Sequence, residues 1–313
     1  MVLGKIGSSY TIKGNDTLYK IAEKQLGDGD RWIEILKPNG ARFTEEEANN
    51  LQSGQEICIP NGKTNPPPPT SSGGLIPDQK RRAEQFTSIF ENDTIELQYD
   101  YVEDIGDGRG FTCGRAGFTT ATGDAVEVVQ LYTNNKSDNP LAKYLPELKR
   151  LAKEESDDTS NLDGFENAWK KAAKDSAFRA AQDEVVDKLY YQPSAKRAND
   201  AGLKLALSRA ALYDTIIQHG EGDDPDGLPA LLKRTQKEAG GTPKTGVDEK
   251  QWLQAFLKVR RADLAHAYNE DTREEWAQSV DRCDALSAIA KSGNYDLNGP
   301  IHVKTPNHDA TIP

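Results

Sequence analysis

Two carboxylates stand apart by context within residues 91–124. That stretch holds eight acids (Glu91, Asp93, Glu96, Asp100, Glu103, Asp104, Asp107, Asp124) and two bases, Arg109 and Arg115. Glu91 follows Ile89 and Phe90 at the end of an amphipathic helical pattern, beside apolar surface. A carboxyl in that setting is expected to be desolvated, which favours its neutral form and suits a general acid. Asp107 lies in Gly106-Asp107-Gly108-Arg109-Gly110, flanked by glycines and next to a cation. This predicts an exposed, ionised carboxylate, suited to a general base. A pair divided in this way fits hydrolysis of an acetal, where one group protonates the leaving oxygen and the other activates water or attacks. The remaining acids, Glu96 and Asp100 among them, are expected on a solvated face. On pattern alone, Gly-Asp-Gly-Arg-Gly also fits a plain tight turn, or a phosphate loop without its strand and helix.

The elements that must position these groups are mostly helical. Ala83, Phe86, Ile89 and Phe90 share one apolar face, and residues 165–192, 200–220, 248–268 and 275–292 carry Ala, Lys, Leu and Asp at helical spacing. Residues 99–124 differ: Gly106, Gly108, Gly110, Gly114, Gly117 and Gly123 separate short aromatic and β-branched runs, which predicts strands and tight turns. A mainly α domain with one small β segment is similar in architecture to lysozyme-like, two-lobed hydrolases, where the β segment forms one wall of a cleft. Asp214 falls on a helix face with Leu207, Ala210, Ala211 and Ile217 as spacing neighbours. A carboxylate buried there needs a cation, because an unpaired buried charge is very costly. Asp223-Asp224-Pro225-Asp226-Gly227 reads as a turn, since it lacks the spacing and closing Glu of a calcium loop.

Residues 62–77, with four consecutive prolines and then Ser-Ser-Gly-Gly, predict an extended, flexible linker between a unit at 8–61 and a larger one at 78–313. In the smaller unit, Tyr10-Thr11-Ile12 reads as a strand. Asp16 or Thr17 caps a helix through Leu18, Ile21 and Ala22, a second helix carries Trp32, Ile35 and Leu36, and Ile57 and Ile59 alternate in a closing strand. The expected order is βααβ.

Composition narrows the partners. The chain has 50 acidic against 39 basic residues, a net charge of −11, which disfavours nucleic acid and anionic lipid and attracts polycations. Cys58, Cys113 and Cys283 form no CxxC pair, and an odd count leaves at least one thiol whatever disulfide forms. His219, His266, His302 and His308 are scattered and none forms HExxH, so a structural metal is not expected. No stretch is long and apolar enough to span a membrane. The N-terminus lacks the apolar core of a leader, and the expectation is a secreted protein whose leader is not in this chain.

Two resemblances sharpen these readings. Tyr10-Thr-Ile-Lys-Gly-Asn-Asp-Thr-Leu18, Ile21-Ala22, Trp32, Ile35 and Gly54-Gln-Glu-Ile-Cys-Ile-Pro60 resemble the lysin motif (LysM), with Asn15 where the motif usually has Gly. The resemblance implies binding of chitin or peptidoglycan in a groove at Gly14, Asn15, Asp16 and Thr17, although Asp16 and Thr17 equally fit plain helix caps. In the larger unit, Phe90-Glu91-Asn92, the run Gln98–Thr112, Gly117-Phe118-Thr119 and Thr122-Gly123-Asp124 resemble glycoside hydrolase family 46, the chitosanases. This implies an endo-acting, inverting enzyme without cofactor, acting as a monomer on chitosan and partly acetylated chitosan oligosaccharides. Glu91 would be the acid, Asp107 the base, and Thr112 would hold the attacking water. Tyr101, Arg109, Thr122, Asp124 and His219 would contact sugar, with a satisfied helix-end histidine the competing reading for His219. Asp214, Arg260 and Arg282 would form a structural ion network. A muramidase or chitinase on a related scaffold, or a non-catalytic glycan-binding protein, are the alternatives.

Overall fold

The structure is a computed structural model of the 313-residue chain, and it describes residues 7–14, 16–26, 32, 35–38, 43, 47, 48, 50–60 and 74–313. Residues 1–70 and 71–313 form separate units.

In the first unit, β1 (Gly7–Thr11) and β2 (Glu56–Pro60) pair antiparallel, Gly7 opposite Pro60 and Thr11 opposite Glu56. Helix α1 (Leu18–Leu26) starts where the Thr17 hydroxyl accepts the Lys20 N–H at 3.2 Å, the usual N-cap device. Ile12, Leu18, Ile21, Ala22, Ile35, Ile57 and Ile59 make its core. The helix expected through Trp32, Ile35 and Leu36 does not reach Leu36. The backbone of Leu36 is extended there and exchanges two hydrogen bonds with Cys58, at 2.9 and 2.7 Å. Pairing with β2 gives these backbone groups partners while Ile35 stays buried, so the tertiary contact overrides the helical spacing. Of the linker, residues 62–73 lie outside the described residues. Its end belongs to the second unit: Leu75 packs on that unit's core and donates its N–H to the Tyr191 hydroxyl at 2.8 Å.

The second unit has two hydrophobic cores. One is built from α2 (Pro77–Asn92), α7 (Gln192–Ala201), α8 (Ala206–His219), α9 (Leu228–Ala239), α10 (Glu249–Ala265), α12 (Asp281–Lys291) and a terminal hairpin of β6 (Ile301–Lys304) and β7 (Asp309–Ile312). The other is built from the β segment, α3 (Asp124–Asn135), α4 (Leu145–Glu154), α5 (Phe165–Ala172) and α6 (Ser176–Val186). The short α11 (Arg273–Gln278) precedes α12. The helical spacing over 165–192 is therefore broken into pieces. Asp175 ends one run and caps the next, its carboxylate accepting the Ala177 N–H at 3.0 Å. A π-helical turn, Asp187–Tyr191, then carries the chain from the second core to the first, and Tyr190 packs against both.

The β segment is the expected meander: β3 (Val102–Asp104), β4 (Phe111–Cys113) and β5 (Phe118–Thr119), antiparallel throughout. Thr112 lies on the central strand, opposite Glu103 on one side and Thr119 on the other. The β3–β4 connection explains the glycine spacing. Gly106, Gly108 and Gly110 have φ of +71°, +78° and +71°, a region that L side chains rarely adopt. At Gly110 space is also closed, since a Cβ there would stand 2.3 Å from the Thr120 hydroxyl. Arg115, on the β4–β5 turn, joins the lobes: it pairs with Glu84 of α2 at 3.0 Å and with Asp183 of α6.

Candidate active site

Asp214 anchors the site. It is fully buried on α8, a helix with almost no exposed face. Its Oδ1 accepts from Arg282 Nη2 at 2.7 Å and the Thr87 hydroxyl at 3.0 Å, and its Oδ2 accepts from Arg260 Nη1 at 2.6 Å and Arg282 Nε at 3.2 Å. Burial opposes its charge, but the two guanidiniums outweigh burial and hold its carboxyl well below the usual range. Arg260, Arg282 and Asp214 are thus brought together as one buried network.

The network reaches Glu91. Arg282 Nη1 donates to Glu91 Oε1 at 2.9 Å, from a guanidinium only 2% exposed to a carboxylate that is 41% exposed. The desolvated setting expected for Glu91 is not what the fold provides. Successive helical residues turn by 100°, so Ile89 points into the core while Glu91 points out, and its closest partner is a cation. Glu91 also lines a cavity of about 200 Å³, together with the turn Arg115-Ala116-Gly117 and Tyr190. Tyr190 was not singled out in the sequence. Burial pushes its phenol up, and the carboxylates of Asp124 and Glu91 add to the shift, so its hydroxyl lies within the field of both.

Asp107 is held by purely local means. Its Oδ2 accepts from Arg109 Nε at 2.8 Å and Nη2 at 2.5 Å, while Oδ1 accepts the Arg109 N–H at 3.1 Å. These bonds hold its carboxyl below the ordinary aspartate value, so it is an ionised group at the surface. Thr112 is buried, and its hydroxyl has no hydrogen-bond partner among the described residues. Asp124 opens α3 and is fixed through Oδ1, which accepts from Thr119 N at 2.8 Å, Ala125 N at 2.9 Å and the Thr122 hydroxyl at 2.9 Å. The Tyr101 hydroxyl donates to Glu103 at 3.1 Å, and burial first, then Glu103, raises it.

His219 does not join the open groups. Its side chain is closed to solvent. Nδ1 donates to the Asp226 carbonyl at 2.9 Å and Nε2 accepts from Arg260 Nε at 3.3 Å, which fixes one neutral tautomer. This is the satisfied helix-end histidine rather than a sugar contact. Burial and Arg260 push it down to about 3. Beyond it, the Asp226 carboxylate accepts the N–H groups of Tyr268 and Asn269 at 2.9 and 2.8 Å, so the acidic turn is a structural buttress. In the first unit, Asp16 accepts from Lys13 N at 2.8 Å and from the Tyr10 hydroxyl at 2.9 Å, and Thr17 caps α1. A Cβ built at Gly14 would meet nothing within 4 Å among the described residues, and Asn15 lies outside them.

A family model, glycosyl hydrolase family 46, matches residues 85–301. The chain belongs to that family. A LysM domain matches residues 10–60. Among curated relatives, a chitosanase of Bacillus subtilis (strain 168) is 66% identical over 234 residues, 75% of this chain and 84% of that protein. A chitosanase of a Streptomyces species is 41% identical over 233 residues, 73% of this chain and 80% of that one. Among solved structures, the native chitosanase of Bacillus subtilis MY002 superposes with a TM-score of 0.67 at 65% identity, covering 77% of this chain and all of that chain. A chitosanase of Gynuella sunshinyii in complex with chitotetraose gives 0.65 at 47% identity, covering 76% of this chain and 99% of that chain. The second unit is accordingly a glycoside hydrolase, and Glu91 and the β segment lie inside the matched region.

Two outcomes follow from the buried network. Asp214→Ala strands two buried guanidiniums and costs about 3–5 kcal/mol, read from urea unfolding of the full chain. His219 makes stability depend on pH: the unfolded imidazole titrates near about 6.5, and the folded one at about 3. Below the unfolded value the unfolded chain binds a proton that the folded chain refuses, so the contribution of His219 is full above it and fades as pH falls toward the folded value. The stability advantage of wild type over His219→Gln should shrink across that window. The difference between the two proteins is the quantity to follow, because Asp263, 3.6 Å from Nδ1 and pushed up to about 6 by burial, titrates in the opposite sense.

Proposed function

We propose that the second unit cleaves β-1,4 glycosidic bonds within chitosan chains with inversion, Glu91 acting as general acid and Asp107 as general base. The observation that carries this reading is the pairing of family 46 membership with two carboxylates held by opposite means. Glu91 is tethered to a buried arginine through Oε1, and Asp107 is an exposed anion on a glycine turn. Inversion needs room for water between the two groups, about 6.5–9.5 Å from carboxyl to carboxyl. Thr112, buried on the strand that follows the Asp107 turn, has a hydroxyl free to hold that water.

The substrate class follows from charge and from relatives. A chitosanase mutant of Bacillus subtilis MY002 is known in complex with 6 GlcN, and the Gynuella sunshinyii enzyme with chitotetraose. In this chain Asp124 offers an anion set by three donors, suited to a glucosamine ammonium, and Tyr101, Arg109 and Thr122 stand on the same β segment or its flank. The net charge of −11 favours a polycation over long range. The LysM domain adds affinity for chitin-type or peptidoglycan-type polymer, and by tethering it raises the local enzyme concentration at an insoluble surface. Such polymers lie outside cells, which supports a secreted protein.

The decisive experiment is release of reducing ends from chitosan. Glu91→Gln and Asp107→Asn, both folded, should each lose about 10²–10⁴-fold in kcat, the usual worth of a positioned acid or base. Turnover near wild type in either variant would remove that residue from its role. Deleting residues 1–70 should leave activity on soluble chitosan intact and reduce it on insoluble polymer. Equal loss on both would remove the LysM domain from the targeting role.

A further inference from the structure

The chain ends in a hairpin whose tip touches both sides of the Glu91–Arg282 contact. Strands β6 and β7 pair with Lys304 opposite Asp309, and Ile301, Val303 and Ile312 are buried in the same core as Phe86 and Ile89. The tip, residues 305–308, is closed on itself. The Thr305 N–H donates to the His308 carbonyl at 2.8 Å, and the Thr305 hydroxyl accepts the N–H groups of His308 at 3.0 Å and Asn307 at 3.3 Å. Buried strands and a closed loop hold the backbone of the tip in place.

Those side chains meet the neighbours of the pair. His308 Nδ1 lies 3.2 Å from Asp93 Oδ1, and its ring stands edge-on to Phe90 with centroids 4.7 Å apart. On Phe90 also rests the Arg282 guanidinium, 5.4 Å from the ring centroid. Phe90 directly precedes Glu91, and Asp93, two residues beyond it, ends α2 in a left-handed conformation with φ of +55°. On the other side, Asn307 Nδ2 donates to Asp281 Oδ2 at 3.3 Å, and Asp281 directly precedes Arg282. The Asp93 carboxylate is 85% exposed, so its contact with His308 is well screened. The His308 side chain is only 17% exposed, and its ring contact is the better-sheltered one.

We propose that the hairpin tip is a positioning element for the reaction: His308 and Asn307 fix Phe90, Asp93 and Asp281 so that Arg282 presents Glu91 in a single orientation, a step that rests on the role of Glu91 given above. The tip touches neither reacting group, so its effect is on the chemical step and not on substrate affinity. Small displacements of a reacting group lower rate without altering uniform binding.

The test is steady-state hydrolysis of a glucosamine hexamer by the full chain. His308→Ala should lower kcat about tenfold with KM within about twofold, and His308→Phe, which keeps a ring against Phe90, should recover most of it. Asn307→Ala, at an exposed position where folding is not at stake, should lower kcat about threefold at unchanged KM. Val303→Ala opens the buried face of the same hairpin away from its tip. It should lower the melting temperature yet keep kcat within about twofold. A wild-type kcat in both tip variants overturns the inference, as does an equal loss in Val303→Ala, which would make the hairpin a structural brace alone. Glu91→Gln measured alongside separates the two layers. If it stays active, the role of Glu91 falls and the positioning role falls with it; if it is dead while the tip variants are normal, only the positioning role falls.

Discussion

A carboxylate with no access to water sets the terms for the catalytic unit. Asp214 lies on a helix buried on nearly every side, and its charge survives only because four hydrogen bonds from Arg260, Arg282 and Thr87 reach it. Each arginine must in turn spend its remaining donors well, since a guanidinium with idle N–H groups in the interior is costly. Arg260 gives one to Gln218 and one to His219, and His219 passes the constraint to Asp226 and the loop at Tyr268. Arg282 gives one, from Nη1, to Glu91. The orientation of the Glu91 carboxylate is therefore inherited from the centre of the core.

Asp107 is held by the opposite strategy. Three alternating glycines and one arginine two residues away hold it, and the rest of the fold enters only through the turn's backbone, where the Arg109 carbonyl accepts the Ala121 N–H at 3.2 Å. The relation between the two carboxylates is thus a relation between two lobes. Three features connect those lobes close to the site: Arg115 between Glu84 and Asp183, the π-helical turn, and Tyr190, which packs on both cores. A π-helical turn is a frequent companion of functional sites, and here it sits where the chain crosses from one core to the other.

What the sequence made legible was whatever is local. The Asp107 turn, the β segment, the cap at Thr17 and the apolar face of α2 all arise from neighbours within a few residues, and periodicity and glycine spacing report such features directly. The environment of Glu91 was misjudged for the converse reason. Its cation lies 191 residues further along the chain, and the apolar residues beside it in sequence face the other way. Leu36 left its helix for a strand partner in β2, and the run at 165–192 broke where Asp175 could cap a new helix. Arg282 entered through family resemblance alone, and Tyr190 and His308 carried no signal at all. Their importance lies in which distant side chains they meet, and no spacing rule encodes that.

Stability alone does not explain why the interior keeps so expensive a network. Buried ion triads can often be exchanged for apolar residues of similar volume with no loss of stability, and sometimes with a gain. An apolar replacement would fill the space around Asp214 equally well, and α8 would remain packed against α2, α10 and α12. It would have nothing to offer Glu91. A charged donor emerging from the core can grip a carboxylate that stays open to solvent, and a buried anion can hold that donor in place. The arrangement Asp214–Arg282–Glu91 meets both needs with one side chain, fixed at its buried end by Asp214 and exposing its partner at the other. The cost of the buried charges is thus tied to the carboxylate proposed above as the acid, and that proposed role is a physical reason to retain them.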